Sequence, residues 1–154
     1  MRLNMQTDYA LRLLTYLAVM EDARTTTAEV ADRFGISRTH LTKVANALSH
    51  EGFVETARGR AGGLRLAQPA SEIVIGNVVR RMEADFAIAE CFQAAKGSGQ
   101  SGGCLIFPAC RLRGVLSRAL EAFLATLDEV TLHDLVTLNS DLQMLLAPES
   151  NARI

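Results

Sequence analysis

The sequence predicts a mainly α chain: a winged helix-turn-helix domain with a two-stranded wing, followed by a long dimerisation helix. Three observations carry this reading. Two amphipathic patterns flank Gly35, two strand-like runs flank an Arg/Gly-rich turn, and one apolar stripe runs from Leu112 to Leu127. The organisation that follows is a winged domain over 1–83, a cysteine-bearing loop over 84–110, the dimerisation helix over 111–135 and a flexible tail over 136–154.

Each element has a local reason. In "DYALRLLTYLAVM" the positions Ala10, Leu13, Leu14, Leu17 and Ala18 recur at helical spacing, which gives one buried face. Thr27 is placed to cap a short helix from Ala28 to Phe34, whose apolar face is Ala28, Val30, Ala31 and Phe34. Gly35 supplies the turn, and Ser37 caps a second helix running to about His50. On that helix Leu41, Val44, Ala45 and Leu48 form the buried stripe, while Thr39, Lys43 and Asn46 point the other way. Phe53–Thr56 and Leu64–Leu66 read as short strands joined by a loop with Arg58 and Arg60 at its tip. Residues 71–83 read as a further helix, with Ser71 as cap and Ile73, Val74, Val78 and Val79 turned inward.

A second, polar helix followed by a basic hairpin is the arrangement that lays a helix in the major groove of DNA and a wing beside it. Ser37, Arg38, Thr39, His40 and Lys43 are then candidate contacts to base edges or phosphates, and Arg58 and Arg60 can reach the backbone or a minor groove. The net charge of −1 gives no global sign of a nucleic-acid partner, so the argument rests on a local excess. Residues 38–65 carry Arg38, Lys43, Arg58, Arg60 and Arg65 against Glu51 and Glu55.

No apolar run approaches the ~20 residues that cross a bilayer, and Arg12 interrupts the first apolar stretch, which argues against a signal peptide or a membrane partner. A cytoplasmic location follows, where thiols stay reduced. No Ser/His/Asp or Cys/His constellation is visible, and "GRAGG" falls in a hairpin and not at a helix N-terminus, so the reading is of a protein that is not an enzyme.

All three cysteines, Cys91, Cys104 and Cys110, fall in one segment, with twelve and then five residues between them. Three thiols cannot all pair as disulfides, and they are one short of a closed four-ligand metal site. They read as metal ligands, as reactive or buried thiols, or as part of a zinc site with a fourth ligand from elsewhere. The Gly/Ser-rich stretch 96–103 between them reads as an exposed flexible loop.

Taken together, "MRLNMQTDYALRLLTYLA", the helix-turn-helix, the wing "RGRAGGLRL" and the segment ending "CLIFPACRL" resemble the Rrf-type winged-helix regulators over roughly residues 1–135. Within that family the chain is similar to the nitric-oxide-sensing repressors. The resemblance implies a homodimer bound to a palindromic double-stranded DNA operator, with an iron–sulfur cluster, 4Fe–4S or 2Fe–2S, held by Cys91, Cys104 and Cys110. It implies that Asp8 of the other subunit supplies the fourth ligand, because Arg113 stands where cluster-biogenesis regulators carry a histidine. Asp8 also has an ordinary reading, as a charge or cap in the first turn of a helix. The stretch between Cys91 and Cys104 is longer than the family pattern. Two other functions fit the same residues: a winged-helix regulator that senses redox stress by thiol chemistry without metal, and a winged-helix protein-interaction module.

Overall fold

The computed structural model describes residues 2–20, 25–57, 62–92 and 104–146. It is built from helices α1 (Met5–Met20), α2 (Thr27–Phe34), α3 (Arg38–His50), α4 (Ile75–Met82), α5 (Arg111–Asp128), α6 (Leu132–Val136) and α7 (Ser140–Leu146), with one hairpin of β1 (Val54–Ala57) and β2 (Gly63–Leu66). The predicted class, a mainly α winged helix-turn-helix with a long helix behind it, is the observed one.

The core forms where the predicted stripes meet. Ala10, Leu13, Leu14 and Leu17 of α1 pack with Val30 and Ala31 of α2 and with Leu41, Val44, Ala45 and Leu48 of α3. Phe53, Val54 and Leu64 close it from the hairpin, and Ile73, Val78 and Val79 from the α4 region. Each fully buried leucine removes apolar surface worth about 1.5–3 kcal/mol from water. Tyr16 meets Phe34 edge to face, with ring centroids 6.1 Å apart.

The turn after α2 follows the glycine argument. Gly35 has φ 63°, and its amide bonds back to the helix end, as a left-handed C-terminal cap does. The cap at the other end is one residue earlier than predicted. Thr26, not Thr27, accepts from the Glu29 amide, while the Glu29 carboxylate accepts from the Thr26 amide. Only Thr26 has a glutamate three positions on, so this register satisfies two backbone donors at once. Ser37 does occupy the cap position of α3, without a side-chain cap bond.

In the hairpin, Val54 pairs with Leu66, Glu55 with Arg65 and Thr56 with Leu64. The first strand shifts by one residue from the predicted bounds, to Val54–Ala57, and the second gains one residue at its start, Gly63–Leu66. Thr25 adds a bridge to Leu64, which ties the hairpin to the start of α2. The predicted helix over 71–83 also begins later than expected. Ala70–Glu72 form a 3-10 turn, Val74 bridges to Thr131, and the α-helix starts at Ile75. Ser71 therefore caps nothing, and Val74 is only half-buried, because its backbone is extended to meet the chain that follows α5.

The tail expected from residue 136 is corrected over its described part. Residues 140–146 form α7, whose Leu146 is buried in the core, and Leu132 of α6 is fully buried beside α1. Thr131 caps α6 with a reciprocal Asp134 bond. The helical spacing was present in the sequence: Leu132 and Val136, and Leu142 and Leu146, lie four residues apart.

Candidate nucleic-acid interface and thiol site

Ser37, the cap residue before α3, and Arg38, Thr39, His40 and Lys43 on it are all exposed, opposite the helix's buried stripe. They form one solvent-facing surface. Arg38 is ion-paired with Asp32 of α2 at 2.8 Å, and both side chains are about two-thirds exposed. Water screens that pair, so its guanidinium is available to a phosphate at little cost. Arg65 is paired in the same exposed way with Glu55 across the hairpin. Arg58 and Arg60 lie outside the described residues.

Sequence reasoning missed what faces His40 and Lys43. Met5, Gln6 and Tyr9 of α1 line a small groove of about 130 Å³ with His40, Lys43 and Val44. The spacing of 5, 6 and 9 is one turn of helix, a signal that was present but unassigned. The start of α1 thus lies directly against the recognition helix.

That start is firmly placed. Asn4 caps α1 by accepting from the Thr7 amide at 2.8 Å. Its own amide and side chain donate to the Glu83 carboxylate, each at 2.8 Å, which anchors the α1 entrance to the end of α4. With Asn4 as the cap, Asp8 is free of that duty. Its carboxylate pairs with Arg12 one turn later at 2.8 Å, and the two side chains are 43% and 46% exposed. It is a reachable anion on the outside of α1.

The cysteines flank residues 93–103. Cys91 lies in a 3-10 turn, Glu90–Phe92, and is half-buried. Cys104 is exposed, and Cys110, half-buried, occupies the residue before α5. All three are free thiols. Among the described residues no group of three or more His, Cys, Asp or Glu side chains is close enough to hold a metal ion. The donor chemistry suits iron, for which thiolates are the standard cluster ligands, but the described chain does not gather the donors into a cage. Arg113 is engaged elsewhere: its guanidinium lies over the rings of Phe92 and Phe107.

Two antiparallel strands behind a helix-turn-helix, with an exposed polar face on the second helix, define a winged-helix DNA-binding protein. Comparison with known proteins narrows the class. Residues 3–138 match the Rrf2 family, described as iron-dependent transcriptional regulators. The chain is 44% identical over 147 residues to the HTH-type transcriptional regulator NsrR of Shouchella clausii, covering 95% of each chain. It is equally identical, 44% over 147 residues, to the regulator of that name from Halalkalibacterium halodurans, covering 95% of this chain and 97% of that one. Among solved structures it is similar to CymR, the global cysteine regulator of B. subtilis, with a TM-score of 0.69 at 22% identity over 89% of this chain and 97% of that one. The chain belongs to the Rrf2 family of winged-helix transcriptional regulators. Its relatives are regulators and not enzymes, in agreement with the sequence reading. No helix among the described residues is long and apolar enough to cross a membrane.

Proposed function

We propose that this protein is a cytoplasmic, homodimeric repressor of transcription whose affinity for a palindromic DNA operator is set by an iron–sulfur cluster that senses nitric oxide. The observation that carries this reading is the combination, in one Rrf2-family chain, of an exposed recognition helix with three free thiols on either side of residues 93–103. Cys91, Cys104 and Cys110 would hold the cluster through sulfur, and Asp8 of the partner subunit through a carboxylate oxygen. When bound, the cluster supplies iron at which nitric oxide reacts.

The residues of the chain do the rest. Ser37, Arg38, Thr39, His40 and Lys43 present donors to base edges and phosphates, and a dimer sets two such helices about 34 Å apart, one DNA turn. Arg58 and Arg60 hold the backbone from the wing. Asp8 is one turn beyond Met5 and beside Tyr9, both of which line the groove against His40 and Lys43. A pull on Asp8 therefore moves the surface on which the recognition helix rests. Such a shift need cost only about 1.4 kcal/mol of binding free energy to lower operator affinity tenfold. Repression is released by a small movement.

The test is anaerobic purification followed by operator binding with and without nitric oxide. The expected protein is brown, contains matching iron and sulfide, and loses operator affinity on exposure to the gas. Cys104→Ala should lose the cluster, whereas Asp8→Ala should keep a cluster and bind the operator less tightly. Arg58→Ala and Arg60→Ala should each reduce the salt slope of binding by about one. A colourless protein with three titratable thiols, indifferent to nitric oxide, would overturn the proposal in favour of a thiol switch.

A further inference from the structure

The two cysteine-bearing segments meet at one side chain. The Arg113 guanidinium carbon lies 5.6 Å from the centre of the Phe92 ring and 5.3 Å from that of Phe107. Both distances fall within the ~6 Å over which a cation is attracted to an aromatic face. Phe92 immediately follows Cys91, Phe107 is midway between Cys104 and Cys110, and Arg113 is one helical turn beyond Cys110. The rings therefore come from opposite sides of residues 93–103, and the cation comes from α5. A guanidinium is planar and delocalised, so it can serve two rings at once; a lysine ammonium is a point charge with a tightly held hydration shell.

We infer that Arg113 is a positioning residue: shared between Phe92 and Phe107, it holds the Cys91 turn against the Cys110 end of α5 in the metal-free protein. The long spacing between Cys91 and Cys104 makes this contact useful. Closing a longer connection costs more entropy, though only slowly with length, and a two-ring contact of modest strength offsets it. The consequence for loading a cluster rests on the proposed ligand reading; the gathering of the two segments does not.

The experiment uses the full-length, metal-free protein carrying Cys104→Ser, so that Cys91 and Cys110 are the remaining thiols. A flexible bismaleimide is added, and the intramolecular Cys91–Cys110 product is quantified by mass against mono-modified chain. Arg113→Met and Phe92→Leu, which keep apolar bulk, should each lower intramolecular product about five-fold, the effect of losing one modest cation–π contact on effective concentration. Reaction with a monofunctional maleimide should stay unchanged, which separates positioning from simple exposure. The double variant Arg113→Met/Phe92→Leu should fall no further than either single one, and Arg113→Lys should recover part of the yield. Wild-type yield in Arg113→Met, or a double variant in which the two losses multiply, would overturn the inference. Iron and sulfide uptake, measured separately on the chain with all three cysteines, keeps the two readings distinct. A chain that cross-links as expected but takes up no iron refutes the cluster and leaves the clamp standing. Iron uptake with cross-linking insensitive to Arg113 refutes the clamp and leaves the cluster.

Discussion

The winged domain and helix α5 are both amphipathic, yet they treat their apolar faces differently. Helices α1 to α4 each bury their stripe within the same chain, and Leu13, Leu41, Leu48 and Val78 are fully inaccessible. Helix α5 has a stripe of similar regularity and no fully buried residue. Leu112 and Val115 at its start are 60% and 50% exposed, while Leu124 and Leu127 near its end pack against the core. One domain is thus complete as a single chain, and the first half of α5 is not. An exposed leucine and valine at helical spacing, beside the cysteine segment, are what a second subunit would cover in the proposed dimer.

The contrast is broken most severely by matched truncations. Leu48→Ala should destabilise folding by about 2–5 kcal/mol, because the site is enclosed and leaves a cavity. Leu112→Ala should change the stability of the dissociated chain by no more than about 0.5 kcal/mol. Urea unfolding at low protein concentration checks both. Equal losses would show that α5 belongs to the same cooperative core as the winged domain.

A smaller effect tests the joint between the two regions. Gly76 of α4 lies under α5, and a Cβ there would overlap the Asp128 carboxylate. Arg80, one turn along, donates to Asp128 with a second bond at 2.7 Å. Gly76→Ala should therefore displace the exposed ends of Asp128 and Arg80 and lose most of the roughly 1 kcal/mol that alanine otherwise gains in a helix. A stabilised variant would mean that the end of α5 is free to move aside. Within the winged domain, Thr26→Ala should cost about 1 kcal/mol by removing the cap from α2, and Thr27→Ala much less. The reverse order would return the cap to the residue that the sequence reading chose.

Legibility follows the same division. The winged domain was readable because its stripes are strict, its breaker is a glycine at a required positive φ, and its hairpin is bounded by turn residues. The errors there were of a single residue at Thr26 and at the strand ends, where reciprocal bonds and register decide what periodicity cannot, and of a full turn at the start of α4, where Val74 pairs with Thr131. Helices α6 and α7 escaped because each is short, 5 and 7 residues, so its i, i+4 pair (Leu132 and Val136, Leu142 and Leu146) spans little more than one turn. The cysteines and Asp8 were legible as residue types. Their proposed joint use was not, since no spacing in one chain tells which donors a second subunit would bring. The role of Arg113 was half legible: the sequence showed a poor ligand, and only the fold showed the two rings that occupy it.

The smallest effect concerns charge at the joint. The side-chain bond from Arg80 holds the Asp128 carboxyl below its ordinary value, and the Thr131 hydroxyl and amide do the same for Asp134. A carboxyl whose native pKa is depressed binds fewer protons in the folded chain than in the unfolded one. Its contribution is complete above the unfolded value of about 3.9 and is lost as pH falls through the lower native value. Both groups are solvent-exposed, so water weakens the effect. Asp128→Asn should therefore be less stable than wild type at pH 6, and the gap should close as the pH is lowered toward 3. Asp134→Asn should show the same convergence at the α6 cap, independently, because the two carboxyls have separate partners. Chemical denaturation across that range reads both. A gap that stays constant with pH would assign the contribution of Asp128 to hydrogen-bond geometry, and the tie between α4 and α5 would then owe nothing to charge.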